Sequence, residues 1–186
     1  GGRIMNNKDP DAAKYLNSSE TLIFNKRKNL FALNYAKKSK QGYIILVEGN
    51  MDVISLHQAG FQNVVAPLGT SFTEEQINLL SRYTKEIVLM LDSDAAGQKA
   101  LQRASGLLQN TGLAVRVVVL PDGKDPDEFI KKNGPDRFRA ILEGAVSDIE
   151  YKLLMAANGL ALDTDDGRLK YLQAAAQILA TTDDIM

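Results

Sequence analysis

The chain has 186 residues, 45% of them apolar, a net charge of −1 and no cysteine. That is enough apolar material for the core of one ordinary domain, and it excludes disulfide frameworks and zinc–thiolate sites. No apolar stretch reaches the roughly 20 residues that span a bilayer, and with no signal peptide in view the expected compartment is the cytoplasm.

The near-neutral charge hides an asymmetry. Residues 1–41 carry nine Lys/Arg against three acids, a net +6, and the remainder carries −7. A basic flank beside an acidic body suits a polyanionic substrate, although Lys26-Arg27-Lys28 and Lys37-Lys38 also read as solvated surface. Gly1-Gly2 and the abrupt Asp183-Asp184-Ile185-Met186 lead us to expect an excised portion of a longer protein.

Residues 1–28 are rich in turn formers such as Asn6-Asn7, Asp9-Pro10 and Asn17-Ser18-Ser19, which predicts an irregular lead-in with room for a hairpin. A short helix is expected over 29–38, with Asn29 as its cap. A regular alternation follows. Strand 43–47 leads to helix 51–59, closed by Gly60; strand 63–66 leads to helix 73–83, with Thr73 and Gln76 spaced as a capping box; strand 86–91 leads to helix 95–109; and strand 114–120 completes the set. Three βα units and a fourth strand imply an α/β fold whose parallel sheet is covered by helices on both faces. Beyond Pro121 only helices are expected, over 126–132, 135–143, 147–157 and 168–181, with Leu169, Leu172, Ala176 and Leu179 lining one face of the last.

The chemistry is concentrated where strands end. Glu48 follows the apolar run Ile44-Ile45-Leu46-Val47, and Asp92-Ser93-Asp94 follows Ile87-Val88-Leu89-Met90-Leu91. In an open α/β sheet these tips share one rim, and carboxylates crowded there ionise together only around a divalent cation. Asp52, in the first turn of the next helix, and Asp125 and Asp127, after the fourth strand, can reach the same rim. Each also has a plain structural reading: Asp52 with the helix dipole, Asp94 and Asp125 as helix caps. His57 is the only histidine, read as a satisfied or solvent-facing side chain and not as a ligand. No nucleophile elbow and no Gly-Lys-Ser/Thr phosphate loop is present; Gly69-Thr70-Ser71 reads as a plain loop.

Glu-Gly at one strand tip with Asp-x-Asp two strands later resembles the Toprim fold of primases, topoisomerases, certain nucleases and recombination proteins. The strings Val47-Glu48-Gly49-Asn50-Met51-Asp52-Val53, Leu68-Gly69-Thr70, Asp92-Ser93-Asp94-Ala95-Ala96-Gly97 and Leu120 through Glu128 narrow the resemblance to bacterial DNA primases of the DnaG type, over nearly the whole chain. The resemblance implies a division into a basic lead-in (1–41) belonging to the preceding subdomain, a Toprim α/β domain (42–125) and a truncated helical subdomain (126–186). It implies that Glu48, Asp92 and Asp94 are the central catalytic and metal-binding acids, with Asp52, Asp125 and Asp127 in support, and that Lys14, Tyr15, Asn17 and Lys26 bind nucleotide or template. The implied cofactor is Mg²⁺, with Mn²⁺ as substitute and no zinc in this portion.

The implied reaction joins ribonucleoside triphosphates into RNA primers on single-stranded DNA during replication. The implied partners are single-stranded DNA, nucleoside triphosphates and the primer, with the replicative helicase and single-strand-binding protein reached through regions outside this chain; no membrane is involved, and the setting is the replisome in the cytoplasm. Two departures stand out: Asn50, where the family usually has tyrosine, and Asn25, where it usually has histidine. A Toprim nuclease, a topoisomerase fragment and a non-catalytic binding module remain alternatives.

Overall fold

The computed structural model describes residues 2–3, 15–16, 18–69, 71–91, 104, 106–108, 111–121 and 125–180. At the start, β1 (Gly2–Arg3) and β2 (Tyr15–Leu16) form an antiparallel pair, the hairpin for which the lead-in left room. The main sheet has five strands in the order β4-β3-β5-β6-β7. Its members are β3 (Ile44–Leu46), β4 (Val64–Val65), β5 (Glu86–Leu91), β6 (Ala114–Val119) and β7 (Val146–Ser147). The first four run parallel, as their alternation with helices requires, and β7 closes the β6 edge antiparallel.

Both faces of the sheet are covered, which is why its strands read as unbroken apolar runs. On one face Ile44, Leu46, Ile87, Leu89 and Val117 pack with Leu30 and Ala36, with Ile77 and Leu80, and with the helical residues Ala104 and Leu108. On the other, Ile45, Val47, Val88, Met90 and Val118 meet Val53 and Leu56 from α2 (Asn50–Gln58), and Phe129, Ile130, Phe138 and Leu142 from α4 (Pro126–Glu143). The two-residue period of the strands thus sorts consecutive side chains into two separate cores.

Helix α3 (Glu74–Leu80) begins at the expected capping box: Thr73 Oγ1 accepts from Gln76 N, and Gln76 Oε1 from Thr73 N. The helix expected over 29–38 is shorter. Only Leu33–Ala36 (α1) is helical, entered through Ala32 in the left-handed conformation (φ 63°). Asn29 does not cap it; it is extended, and Phe31 forms an antiparallel bridge with Ala66 beside β4. That bridge and the hydrogen bond from Gln76 of α3 to Asn29 O hold residues 29–31 out of helical geometry. Segments 126–132 and 135–143 join into α4, but Gly134 (φ 75°, ψ 173°) interrupts it between the two predicted halves. The last two helices are α5 (Asp148–Ala157), capped by Ser147, and α6 (Asp165–Ala180), which starts earlier than its periodicity implied. Most of the helix expected over 95–109 lies outside the described residues.

Candidate functional site

The parallel strands all end on one rim, and Glu48 stands there, exposed, one residue beyond the fully buried Val47. Neighbouring β3 and β5 are in register with Leu46 opposite Leu89, so Glu48 lies level with Leu91, the last residue of β5. Asp92 is the next residue in the chain; it and Asp94 lie outside the described residues. The backbone beneath Glu48 is fixed by parallel ladder bonds, Ile45 N to Asn63 O (2.8 Å) and Val47 N to Val65 O (3.0 Å).

Gly49 turns the chain from β3 into α2. Its φ of −111° is open to any residue, so the need for glycine comes from space: an added Cβ would lie 2.5 Å from Asp52 Oδ2. That oxygen accepts from Gly49 N (3.0 Å), reaching back over the start of the helix. The other oxygen of Asp52, which is 7% exposed, accepts from Asp127 N (3.2 Å), and Ser55 Oγ donates to the Asp127 carboxylate. Lys131 reaches the same carboxylate from one turn further along α4, at 2.7 Å. Asp52, Ser55, Asp127 and Lys131 therefore lace the N-terminal turns of α2 and α4 together beside the rim. Asp125 caps α4, accepting from Glu128 N at 2.7 Å.

Of the four candidate acids among the described residues, Asp52, Asp125 and Asp127 hold helix starts, while Glu48 is the one exposed at a strand tip. Among the described residues, no group of three or more Asp, Glu or His side chains is gathered closely enough to hold a metal ion. Of the residues expected to contact nucleotide or template, Lys14 and Asn17 lie outside the described residues, and Tyr15 is in β2. Lys26 opens a 3-10 turn, Lys26–Lys28, docked on the first turn of α3. His57 Nε2 is 3.0 Å from Val64 O, which satisfies the only histidine within the fold.

Sequence reasoning missed Ser55 and the inward role of Gln76. The available signal was the same for both: a polar residue at an apolar helix position, 6% and 1% exposed respectively. A cavity of about 280 Å³ lies at the opposite end of the strands, among Tyr43, Phe61, Asn63, Arg116, Arg139 and Leu142. Its arginines are engaged, Arg116 with Glu86 and Arg139 with Asp136, and it is remote from the strand tips.

Three family models match in succession. That for the N-terminal domain of the DNA primase catalytic core matches residues 1–37, a Toprim-like model matches 45–130, and that for the DnaB-helicase binding domain of primase matches 149–186. The last match corrects the expectation that every helicase-binding segment lies outside this chain. The DNA primase of Clostridium acetobutylicum is 44% identical over all of this chain and 31% of its own length. The crystal structure of the Aquifex aeolicus primase, with zinc-binding and RNA polymerase domains, aligns with 95% of this chain and 42% of that one at a TM-score of 0.78 and 36% identity. The RNA polymerase domain of Mycobacterium tuberculosis primase DnaG, in complex with double-stranded DNA carrying a 6-nucleotide overhang, aligns with 98% of this chain and 60% of its own at a TM-score of 0.85 and 29% identity. The chain spans about a third of the length of the first curated relatives it matches. Flanked by primase models on either side of a Toprim-like one, and aligned along its whole length with a primase relative and along nearly all of it with primase structures, the chain belongs to the bacterial DNA primases of the DnaG type, within their catalytic core.

Proposed function

We propose that the chain is the catalytic-core portion of a DNA primase, acting in metal-dependent synthesis of short RNA primers from ribonucleoside triphosphates on single-stranded DNA during replication. The observation that carries this reading is Glu48, exposed on the tip of a buried strand and level with the end of β5, where the chain enters Asp92-Ser93-Asp94. Carboxylates at adjacent strand tips are hard oxygen donors, the set that suits Mg²⁺ or Mn²⁺, and the absence of cysteine argues against zinc. On this reading Glu48, Asp92 and Asp94 hold the cation.

A cation held there would supply charge neutralisation for the triphosphate and would lower the pKa of a 3′-hydroxyl beside it. The protein's own residues do the positioning. Rigid ladder bonds under Val47 fix Glu48. Asp52 and Asp127 are supporting acids that hold the α2 and α4 termini beside the rim, with Asp125 capping α4. Lys26 and, by the family pattern, Lys14, Tyr15 and Asn17 take nucleotide or template. We assign 1–41 to the lead-in, 42–125 to the Toprim domain and 126–186 to the helical subdomain. Residues 149–186 would contribute to binding the replicative helicase in the replisome, a cytoplasmic setting, and single-strand-binding protein would be met elsewhere in a longer protein.

Mn²⁺ binding followed by electron paramagnetic resonance tests the site independently of turnover. Glu48→Gln is expected to weaken binding by about tenfold or more, the effect that loss of even an outer metal partner can have. Equal affinity in the variant would sink the assignment. Primer synthesis by this portion alone is expected to be weak, and metal-dependent cleavage of nucleic acid without synthesis would favour the nuclease alternative.

A further inference from the structure

The turn Lys26-Arg27-Lys28 buries none of its residues, so it adds nothing to the core, yet the carbonyls of Lys26 and Arg27, and those of Asn25 and Asn29 that flank the turn, are all held. Gln76 Nε2 donates to Lys26 O and to Asn29 O, both at 2.9 Å, and Thr73 Oγ1 donates to Arg27 O at 2.6 Å. The Asn25 carbonyl accepts from Lys28 N (3.1 Å) and from Asn29 Nδ2 (2.7 Å). A second anchor follows directly, where Phe31 N donates to Ala66 O at 2.8 Å.

Gln76 is 1% exposed, and burying an amide is costly unless its polar atoms are paired. Its partners are two carbonyls of the basic segment and Thr73 N, so this buried polar group is satisfied by gripping the turn. The place of the grip matters. Helix α3 follows β4, so its first turn lies on the rim where the parallel strands end, the rim that carries Glu48. Glu75, in the first turn of α3, lies close enough to the basic turn to feel its charges. Its carboxyl is held below its ordinary value first by its own backbone N–H, and further by the charges of Arg27 and Lys28.

We propose that Gln76 and Thr73 are positioning residues that fix Lys26, Arg27 and Lys28 on the rim so that the three cations receive phosphate groups of the substrate. The role rests on the primase reading. It takes from that reading the ligand chemistry, phosphate from single-stranded DNA or from a nucleoside triphosphate, and adds the two residues of α3 and its cap that hold the cations in place.

The test measures binding of a fluorescent single-stranded oligonucleotide against salt, and in a second arm binding of a ribonucleoside triphosphate. The proteins compared are wild type, Gln76→Leu, Thr73→Val and Thr73→Ser. If the turn serves DNA, Gln76→Leu and Thr73→Val weaken oligonucleotide binding several-fold and shrink the log–log salt slope by about 0.7 for each phosphate that is no longer neutralised. Thr73→Ser, which keeps the hydroxyl, restores the wild-type slope. If the turn serves the triphosphate, the loss falls in the second arm instead. A purely structural role would lower the melting temperature and leave affinity and slope unchanged in both arms, which would overturn the proposal. Should Gln76→Leu fail to fold, the contrast between Thr73→Val and Thr73→Ser decides alone. Wild type that binds neither ligand would sink the primase reading itself, whereas wild-type binding that survives both disruptive variants sinks only the positioning role.

Discussion

Asp52 commits one carboxylate oxygen to Gly49 N in its own helix and the other to Asp127 N in α4. The sequence left this residue divided between helix dipole and metal support, because its decisive partner lies 75 residues away and no local spacing encodes it. Replacing Asp52 by Asn puts an N–H donor where one of the two backbone donors was accepted. The expected cost is about 1–3 kcal/mol, read as a lower midpoint in urea denaturation. If Asp52 mainly joins α2 to α4, Mn²⁺ affinity falls far less than in Glu48→Gln. A parallel loss of metal binding and little loss of stability would instead make Asp52 a ligand. Glu48 was legible for the opposite reason, since an acid that ends a four-residue apolar run marks a strand tip without outside help.

Among the elements, α4 keeps the break that the sequence predicted, its two helical halves meeting at a kink at Gly134. Gly134 adopts a backbone conformation essentially reserved for glycine, and nothing lies within 4 Å of where its Cβ would be, so a substitution there is opposed by the backbone and not by a clash. The break lets Phe129 and Ile130 before it, and Phe138 and Leu142 after it, join one core. Gly134→Ala is expected to cost about 1–3 kcal/mol, seen as a lowered melting temperature with the sheet signal in circular dichroism retained. An unchanged melting temperature would mean that α4 tolerates straightening. In α6 the period was legible but the face was not. Leu169, Leu172 and Leu179 are exposed, while Tyr171, Ala174, Ala175 and Ile178 are more covered, because α6 carries apolar residues on two sides and only tertiary contacts choose between them. Strand β7 was invisible for want of length, as two residues carry no period. The helix expected over 29–38 failed for a different reason: Gln76 and the bridge to Ala66 override local propensity.

For the molecule as a whole, the alternation of strands and helices predicted a two-faced parallel sheet, but the order of strands within it and the antiparallel edge came only from long-range pairing. Tyr151 of α5 ties the helical end to one of the two cores, packing half-buried against the cluster that contains Ile77 and Leu89. Burial pushes its hydroxyl above the ordinary value of 10. The folded chain therefore holds this proton more tightly than the unfolded chain does. The associated stability is intact below about pH 10 and is lost as pH rises through the folded-state value. Tyr151→Phe removes the ionisable group and is expected to flatten the alkaline fall in melting temperature. An alkaline limb as steep as that of wild type would assign the loss to other groups.

The pairing of β3 with β5 also has a temporal consequence. These neighbours are separated in sequence by α2, β4 and α3, so the chain must close a long loop before Glu48 and the end of β5 stand side by side. Assembling the rim therefore carries the entropic cost of that closure, and separating those two strands is enough to dismantle it. A ligand that bridges their tips has no grip on the early, locally structured states of the chain. Its hold on the fold would be felt in the rate at which the finished sheet opens, and hardly at all in the rate at which it forms.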